Sequence, residues 1–204
     1  MNEIILIGAG GHACACIDVI ENMQQYEIAG LVDKSIKPNV ALLGYPILGR
    51  DDDLARLRKT FSYALITIGQ IKNAERRLSL YKLLVSLGYT LPNIISPFAY
   101  VSRHAQVGNG TIIMPGAIVN ANARIGLNCI INSAALVEHN AVIGDHSHFA
   151  TGAVINGEGK VGAERFVGSG TVTHQCISIG ENCVIGAGTV LHKDGAANKI
   201  INRD

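Results

Sequence analysis

The residues best suited to chemistry in this 204-residue chain are histidines of its second half, above all His139 in the run Glu138-His139-Asn140. Histidine suits proton transfer because its reference pKa, about 6.5, lies near the pH at which most enzymes work. Asn140 is neutral and can orient the ring, whereas Glu138, as a strand neighbour of His139, should point to the other side. Taken alone, His139 is more simply interpreted as an exposed polar residue.

A second candidate is the loop Gly8-Ala9-Gly10-Gly11-His12-Ala13, which is close to the pattern G-x-G-x-x-A. Glycine lets backbone N–H groups approach a phosphate at the positive end of a helix. Asp33 ends the second predicted strand, where dinucleotide-binding folds place an acidic residue near a ribose hydroxyl. The loop therefore indicates phosphate or NAD binding, with turn glycines as the structural alternative. A sheet of about one mononucleotide half argues against a complete dinucleotide site.

The elements that position this loop alternate between strands and helices over residues 1–92. Strands are predicted over 4–8, 28–33 and 63–69, and helices over about 12–24, 50–59 and 73–87, the last stopped by Gly88. Apolar strands connected through helices predict a small βαβαβ sheet with parallel strands. Pro92 and Pro97 bracket a predicted linker, so the expected domains are 1–92 and 98–204, with a linker over 93–97.

The second half repeats every six residues. One register carries fifteen large apolar residues and one threonine, at Val101, Val107, Ile113, Val119, Ile125, Ile131, Val137, Ile143, Phe149, Ile155, Val161, Val167, Thr173, Ile179, Ile185 and Leu191. A period of six fits neither an α-helix nor a flat strand, but it fits a parallel β-helix with three short faces per coil. Glycines recur every eighteen residues, so the coils should stack without offset, about 4.8 Å apart.

This register also places the histidines. His139 lies two positions after the inward Val137, so it can face a groove outside the coil. His174 and His192 share the coil position of Glu138, and such a pair could bind a metal or form a solvated surface ladder. No metal is expected, and the spacing of His139, His146 and His148 does not match the ligand pattern of the zinc-dependent carbonic anhydrases with this fold.

Composition excludes several classes of partner. A net charge of +1 gives no field to attract nucleic acid or an anionic membrane. No apolar run reaches the roughly 18–20 residues of a membrane span, and the N-terminus has no basic segment typical of a signal peptide. The five cysteines form no C-x-x-C pair and are interpreted as small buried residues in a reducing cytoplasm.

Three features together point to a known family: the six-residue repeat, GAGGHA before a helix, and the segment NSAALVEHNAVIGDHSHFATGAVI over 132–155. In these features the chain resembles the NeuD/PglD-like sugar acetyltransferases, which are left-handed β-helix proteins. The resemblance implies an α/β Rossmann-like βαβαβ module followed by a left-handed parallel β-helix, assembled as a homotrimer. It implies transfer from acetyl-CoA, a co-substrate rather than a permanently bound cofactor, to the amino group of a nucleotide-linked amino sugar in surface-glycan biosynthesis. O-acetylation of a sialic-acid-type sugar and a non-catalytic partner of a sugar synthase are the alternatives.

The resemblance also assigns roles to single residues. His139 becomes the general base, accompanied by Glu138 and Asn140. The acceptor would contact Gly10, Gly11, His12, Asp33 and Gly69, and acetyl-CoA would contact Asn132, His148, Gly157, Ser169 and Ala187. Two departures stand out: Asn140 replaces an acidic residue common in the family, and the tail GAANKIINRD lacks the family's G-x-P-A-K ending.

Overall fold

The computed structural model describes residues 1–34, 41–71, 73–180, 183–195 and 200–201. Its N-terminal part is a five-stranded sheet with order β3-β4-β2-β1-β5. The elements are β1 (Asn2–Ile7), α1 (Gly11–Met23), β2 (Tyr26–Val32), β3 (Ala41–Leu42), β4 (Tyr45–Gly49), α2 (Leu54–Leu57), β5 (Tyr63–Ile66) and α3 (Glu75–Ser86). A single 3-10 turn, Asp51–Asp53, precedes α2.

The predicted strands and helices are present, and the three predicted strands run parallel as expected, but the sheet has two strands more than predicted. β1, β2, β4 and β5 run parallel, whereas β3 pairs antiparallel with β4 in a hairpin that the sequence prediction left out. The hairpin turn is Leu43–Gly44, with both residues at positive φ. This is the geometry of tight hairpin turns, which glycine favours and leucine does not, so the sequence signal is weak.

The boundaries of the predicted helices have local causes. Gly88, at φ 81, accommodates the left-handed turn that ends α3, and Tyr89 N–H closes it on the Leu84 carbonyl. The helix expected over 50–59 is shorter, because Asp53 turns back to accept the Arg50 backbone N–H and holds its first turn in 3-10 form.

The C-terminal part is a left-handed parallel β-helix built from two-residue strands. They are β6 (Ile94–Ile95), β7 (Tyr100–Val101), β8 (Gln106–Val107), β9 (Ile112–Ile113), β10 (Ile118–Val119), β11 (Arg124–Ile125), β12 (Ile130–Ile131), β13 (Leu136–Val137), β14 (Val142–Ile143), β15 (His148–Phe149), β16 (Val154–Ile155), β17 (Lys160–Val161), β18 (Phe166–Val167), β19 (Val172–Thr173), β20 (Ser178–Ile179), β21 (Val184–Ile185), β22 (Val190–Leu191) and β23 (Ile200–Ile201). The expected linker over 93–97 contains β6, which pairs with β9 and already belongs to the β-helix.

The sequence register is confirmed strand by strand. Every predicted inward residue from Val101 to Leu191 is the second residue of its strand, and each strand from β6 to β19 pairs with the strand eighteen residues on. The stacking is close: a Cβ on Gly108 would lie 2.6 Å from the Gly126 carbonyl carbon. The exception to the apolar register is also explained, because the buried Thr173 hydroxyl accepts the Asn156 backbone N–H at 3.1 Å.

The three sides of the β-helix differ in the residues that point outward. The docked face (β6, β9, β12, β15, β18, β21, β23) lies against the N-terminal module, where Ile94, Ile112 and Ile130 join the core of α1. The polar face (β8, β11, β14, β17, β20) carries Gln, Arg, Val, Lys and Ser outward. The apolar face (β7, β10, β13, β16, β19, β22) presents Tyr100, Ile118, Leu136, Val154, Val172 and Val190.

Two further expectations concern the whole chain. Cys16, Cys129 and Cys183 are buried as expected, but Cys176 is exposed on a turn and Cys14 is half-buried, so the interpretation of all five as buried is wrong for these two. Within the described ranges, no helix is long and apolar enough to cross a bilayer. Most of the tail that departs from the family ending lies outside the described residues.

Candidate active site

Ten of the thirteen predicted site residues line one of two clefts. The first, the junction pocket, lies between the N-terminal module and the docked face and has a volume of about 610 Å³. Its walls bring together all five predicted acceptor residues with two of the predicted acetyl-CoA residues, namely Gly10, Gly11, His12, Asp33, Gly69, Asn132 and His148. The second, the corner groove, has a volume of about 540 Å³ and contains His139.

The glycine loop leaves backbone open to the junction pocket. α1 begins at Gly11 after an extended Gly10, and no side chain caps its first N–H groups. A Cβ on either glycine would meet nothing within 4 Å, so the bare backbone there faces the cleft. Asp33 fixes the loop by accepting the Ala9 N–H at 2.9 Å. The positive end of α1, which no side chain caps, suits an anionic group.

The position of His148 also fixes its tautomer. Its Nδ1 lies 2.5 Å from the Gln70 carbonyl, and a carbonyl can only accept, so Nδ1 carries the proton. Nε2 is then the acceptor, 3.4 Å from the amide nitrogen of Asn132. The half-buried His12 ring lies 6.4 Å from the His148 ring, centroid to centroid.

Both histidines of the pocket floor are neutral near pH 7. Burial lowers the pKa of His12 to about 4, assisted by the nearby charge of Arg77 and by His148. Burial also lowers the pKa of His148 to about 4, against the opposing effect of its bond to Gln70. In the described part of the chain, His12 Nε2 and Gln70 Oε1 are buried without hydrogen-bond partners. Unpaired buried polar atoms are costly, so a polar ligand is their natural partner.

Charged side chains also line the junction pocket. Arg76 pairs with Asp51, and Lys34 is exposed. These residues and Gln70 were missed by the sequence analysis. Gln70 lies in the loop that follows the C-terminal end of β5. In parallel sheets ligands bind at that end, so the position could have been found.

The corner groove lies where the chain turns from the apolar face to the polar face. Its lining comprises Glu138, His139, Asn156, Gly157, His174 and Gln175. Gly157 is needed here, because a Cβ at that position would lie 2.7 Å from the His139 ring. Asn140 approaches the exposed ring, with its amide nitrogen 3.1 Å from His139 Nδ1. The expected orienting contact is therefore present.

The expectation that Glu138 points away from His139 is wrong. Glu138 and His139 occupy a turn rather than a strand, so strand alternation does not apply, and both line the groove. The Glu138 carboxylate nevertheless misses the ring. It accepts the backbone N–H of His139 at 3.0 Å, which fixes the turn rather than the imidazole.

Within one chain, four of the five predicted acetyl-CoA residues divide between two edges of the apolar face, and His148 lies on the docked face. Gly157 lies beside His139 at the edge that leads to the polar face. Ser169 and Ala187 are exposed and stacked eighteen residues apart at the opposite edge, which follows the docked face. Asn132 lies at that same edge. A single chain therefore does not bring His139 and His148 into one cleft.

His174 and His192 form the predicted ladder. His192 Nδ1 lies 2.9 Å from His174 Nε2, and both rings are exposed. Among the residues that the structure describes, no group of three or more His, Cys, Asp or Glu side chains is arranged to hold a metal ion.

Comparison with known proteins gives a consistent result. The model of the PglD N-terminal domain matches residues 3–83. The GDP-perosamine N-acetyltransferase of Caulobacter crescentus, solved as a His→Ala variant with CoA and GDP-perosamine, is 30% identical. The alignment covers 99% of this chain and 94% of that one, with a TM-score of 0.93. Curated proteins gave no match.

Two further structures share the whole architecture. The acetyltransferase domain of PglB from Neisseria gonorrhoeae, solved with acetyl coenzyme A, is 28% identical, with a TM-score of 0.91 over 99% of this chain and 97% of that one. WeeI from Acinetobacter baumannii is 24% identical over 98% of this chain and 96% of that one, with a TM-score of 0.85, and shows the shared fold.

Proposed function

Because this chain belongs to the NeuD/PglD-like family of sugar acetyltransferases, we propose that it transfers the acetyl group of acetyl-CoA to the amino group of a nucleotide-linked amino sugar. The observation that carries the proposal is the likeness, over almost the entire chain, to an N-acetyltransferase solved with CoA and GDP-perosamine. The product would serve surface-glycan biosynthesis.

The junction pocket supports a division of labour between the two parts of the chain. Residues 1–92 hold the acceptor, with its phosphates at the uncapped end of α1 beside Gly10 and Gly11. The unpaired His12 Nε2 and Gln70 Oε1 supply hydrogen bonds to the polar sugar at the pocket floor. Residues 98–204 carry acyl transfer, and Asp33 and Gly69 complete the acceptor wall.

The apolar face supports a homotrimer. Its outward column is apolar in all six coils, and Tyr100 and Val190 are 59% and 50% exposed in the single chain. A continuous apolar surface of this kind marks an interface between proteins. A cyclic trimer with this face toward the axis covers the whole column in every copy.

Such a trimer completes the active site. With the apolar faces around a three-fold axis, the edge that carries His139 in one subunit meets the opposite edge of its neighbour. That opposite edge carries Asn132 and leads to His148, at about the same height along the rod. The corner groove of one subunit and the junction pocket of the next then form one cleft. In this cleft, Gly157 of one subunit faces the edge of its neighbour that carries Ser169 and Ala187. Acetyl-CoA lies between these two edges.

The reaction in this cleft is direct acyl transfer. The sugar amine attacks the thioester carbonyl carbon, and the new C–N bond forms as His139 removes a proton from the nitrogen. The C–S bond then breaks, and the CoA thiolate leaves and takes up a proton. Asn140 positions the ring through Nδ1, whereas Glu138 acts on the backbone of the turn.

The free thiols support a reducing compartment, and we place the enzyme in the cytoplasm on that ground. Cys14, Cys16, Cys129 and Cys176 form no disulfide. Structural disulfides are rare where glutathione and thioredoxin keep thiols reduced.

A thiol-release assay tests the proposal. Acetyl-CoA is incubated with UDP- and GDP-linked amino sugars and with sialic acids, and CoA release is followed. We expect turnover on an amino sugar and a loss of about 10²–10⁴-fold in kcat for His139→Ala, with little change for the matched variant His192→Ala. Turnover on sialic acids alone would favour O-acetylation, and none on any acceptor would favour a non-catalytic partner.

A further inference from the structure

A chain of two side-chain amides leads to His139. The amide nitrogen of Asn140 lies 3.1 Å from His139 Nδ1, and the amide oxygen of Asn140 lies 2.7 Å from the amide nitrogen of Asn122. Asn122 and Asn140 are stacked one coil apart, and both adopt a left-handed backbone, with φ of 61° and 59°. Asparagine tolerates this conformation, which aims both side chains along the same edge of the rod.

The orientation of these amides decides which ring nitrogen can accept a proton. In the orientation just described, the Asn140 nitrogen faces the ring and Nδ1 must act as acceptor. The imidazole proton is then on Nε2, and neither ring nitrogen has a free lone pair for a substrate proton. The oxygen and nitrogen of an amide interchange with almost no change in shape. When both amides are turned, Asn122 accepts from Asn140, Asn140 accepts from Nδ1–H, and Nε2 is free.

We propose that Asn122 is a positioning residue which, through Asn140, holds His139 as the Nδ1–H tautomer with Nε2 as the proton acceptor. The inference deepens the proposed function and rests on it. The amide pair thus orients the ring, a role that a single carboxylate beside Nδ1 could also fill. It fixes the tautomer without placing a negative charge against the ring.

The other groups around His139 do not fix its tautomer. Glu138 binds the backbone N–H of His139, and the Glu158 backbone N–H binds the His139 carbonyl at 3.0 Å. His174 lines the same groove but is hydrogen-bonded to His192. Within the described part of the chain, Asn140 is the one side chain hydrogen-bonded to the ring, and Asn122 is the one side chain bonded to the Asn140 amide.

Three variants test this assignment. Asn122→Gly removes the amide and keeps the left-handed turn, because glycine adopts positive φ freely. Asn122→Asp can only accept, so it enforces the base-competent orientation of Asn140. Asn120→Ala is the matched control, since it removes an amide two residues earlier on the same turn but outside the chain of amides.

The decisive readout is the tautomer of His139, measured by ¹⁵N NMR of histidine-labelled protein and assigned with His139→Ala. We expect mainly Nδ1–H in the natural protein and in Asn120→Ala, a shift toward Nε2–H in Asn122→Gly, and recovery in Asn122→Asp. In parallel, kcat should fall about two- to tenfold in Asn122→Gly with both KM values unchanged, and recover in Asn122→Asp.

Mainly Nε2–H in the natural protein would overturn the inference, as would an unchanged tautomer in Asn122→Gly. Failure to recover in Asn122→Asp would also contradict it. The NMR measurement needs neither substrate. It therefore decides the role of Asn122 even if the thiol-release assay shows that the proposed function is wrong.

Discussion

His12 and His148 meet on the floor of the junction pocket as neutral side chains, each held so by burial. The same residue type has a different role at His139, which is exposed and which we propose as the general base. Burial thus suits His12 and His148 to fixed hydrogen bonds, whereas exposure suits His139 to proton transfer. Sequence does not reveal this difference, because the Gln70 carbonyl that fixes His148 lies 78 residues away.

The stability of the protein should fall in mild acid. The pKa of each floor histidine is lowered to about 4 in the folded chain, against 6.5 when unfolded, so the unfolded chain binds more protons between these values. The free energy of unfolding then decreases as the pH falls from about 6.5 to 4. Between pH 7 and pH 5 we expect a loss of about 2 kcal/mol per histidine in urea unfolding at fixed protein concentration.

Replacing one of these histidines isolates its contribution to the pH dependence of the unfolding free energy. His148→Gln should remove about half of the pH dependence, although it lowers the stability at pH 7. The exposed His192→Gln should leave the pH dependence unchanged. An unfolding free energy that stays flat from pH 7 to pH 5 in the natural protein would contradict the assignment of neutral floor histidines.

At the scale of elements, Arg77 on α3 joins the N-terminal module to the β-helix. Its buried guanidinium donates to the carbonyls of Ile66 and Ile68 at 3.0 and 2.6 Å, on either side of the pocket residue Thr67. It also donates to the side-chain oxygen of Asn128 at 2.6 Å and to the Asn128 carbonyl. One side chain therefore holds the pocket loop after β5 against the first coils of the rod.

Removing this guanidinium should be costly. Arg77→Met leaves buried carbonyls without donors, and we expect the free energy of unfolding to fall by about 3 kcal/mol or more. Because the loop after β5 loosens, KM for the acceptor should rise while KM for acetyl-CoA is less affected. Arg56→Met, which breaks only an exposed pair with Asp53, should cost less than about 1 kcal/mol. Equal effects of the two variants in urea unfolding would contradict this role.

The rod was predictable because each of its coils repeats the same requirement. One large inward residue such as Val137 and one close-packed glycine such as Gly126 recur at fixed spacing, so local sequence determines the register. The β3–β4 hairpin escaped because Leu43 adopts a conformation that its residue type disfavours. The orientation of Glu138 was not predicted correctly, because a two-residue strand ends before Glu138 and strand alternation does not extend into the turn.

The residues that line the candidate site could be predicted in part from the sequence, but their arrangement could not. The glycine loop, Asp33 and His139 carry local signals in residue type and spacing. In contrast, the placement of Asn132 and His148 beside the acceptor loop depends on how the N-terminal module docks on the rod. That contact is a property of the whole chain, and no single segment encodes it.

At the scale of the whole molecule, the apolar face should determine assembly. Ile118 and Val142 are 39% and 40% exposed and occupy equivalent strand positions on the apolar and polar faces. We expect Ile118→Lys to dissociate the proposed trimer, because assembly would bury an unpaired charge at the interface. Val142→Lys, on the polar face, should leave the trimer intact. Light scattering after size exclusion measures the difference. Identical masses for the two variants, or a monomeric natural protein, would contradict the assembly.

The most direct test of the account is complementation between two inactive subunits. In the proposed trimer, each active site takes His139 from one subunit and His148 from its neighbour. Co-expression of His139→Ala with His148→Ala at equal levels should therefore rebuild intact sites in mixed trimers, about one quarter of all sites for random assembly. We predict thiol release near a quarter of the natural rate from the mixture, well above either variant alone. Activity no greater than the average of the separate variants would contradict the shared active site.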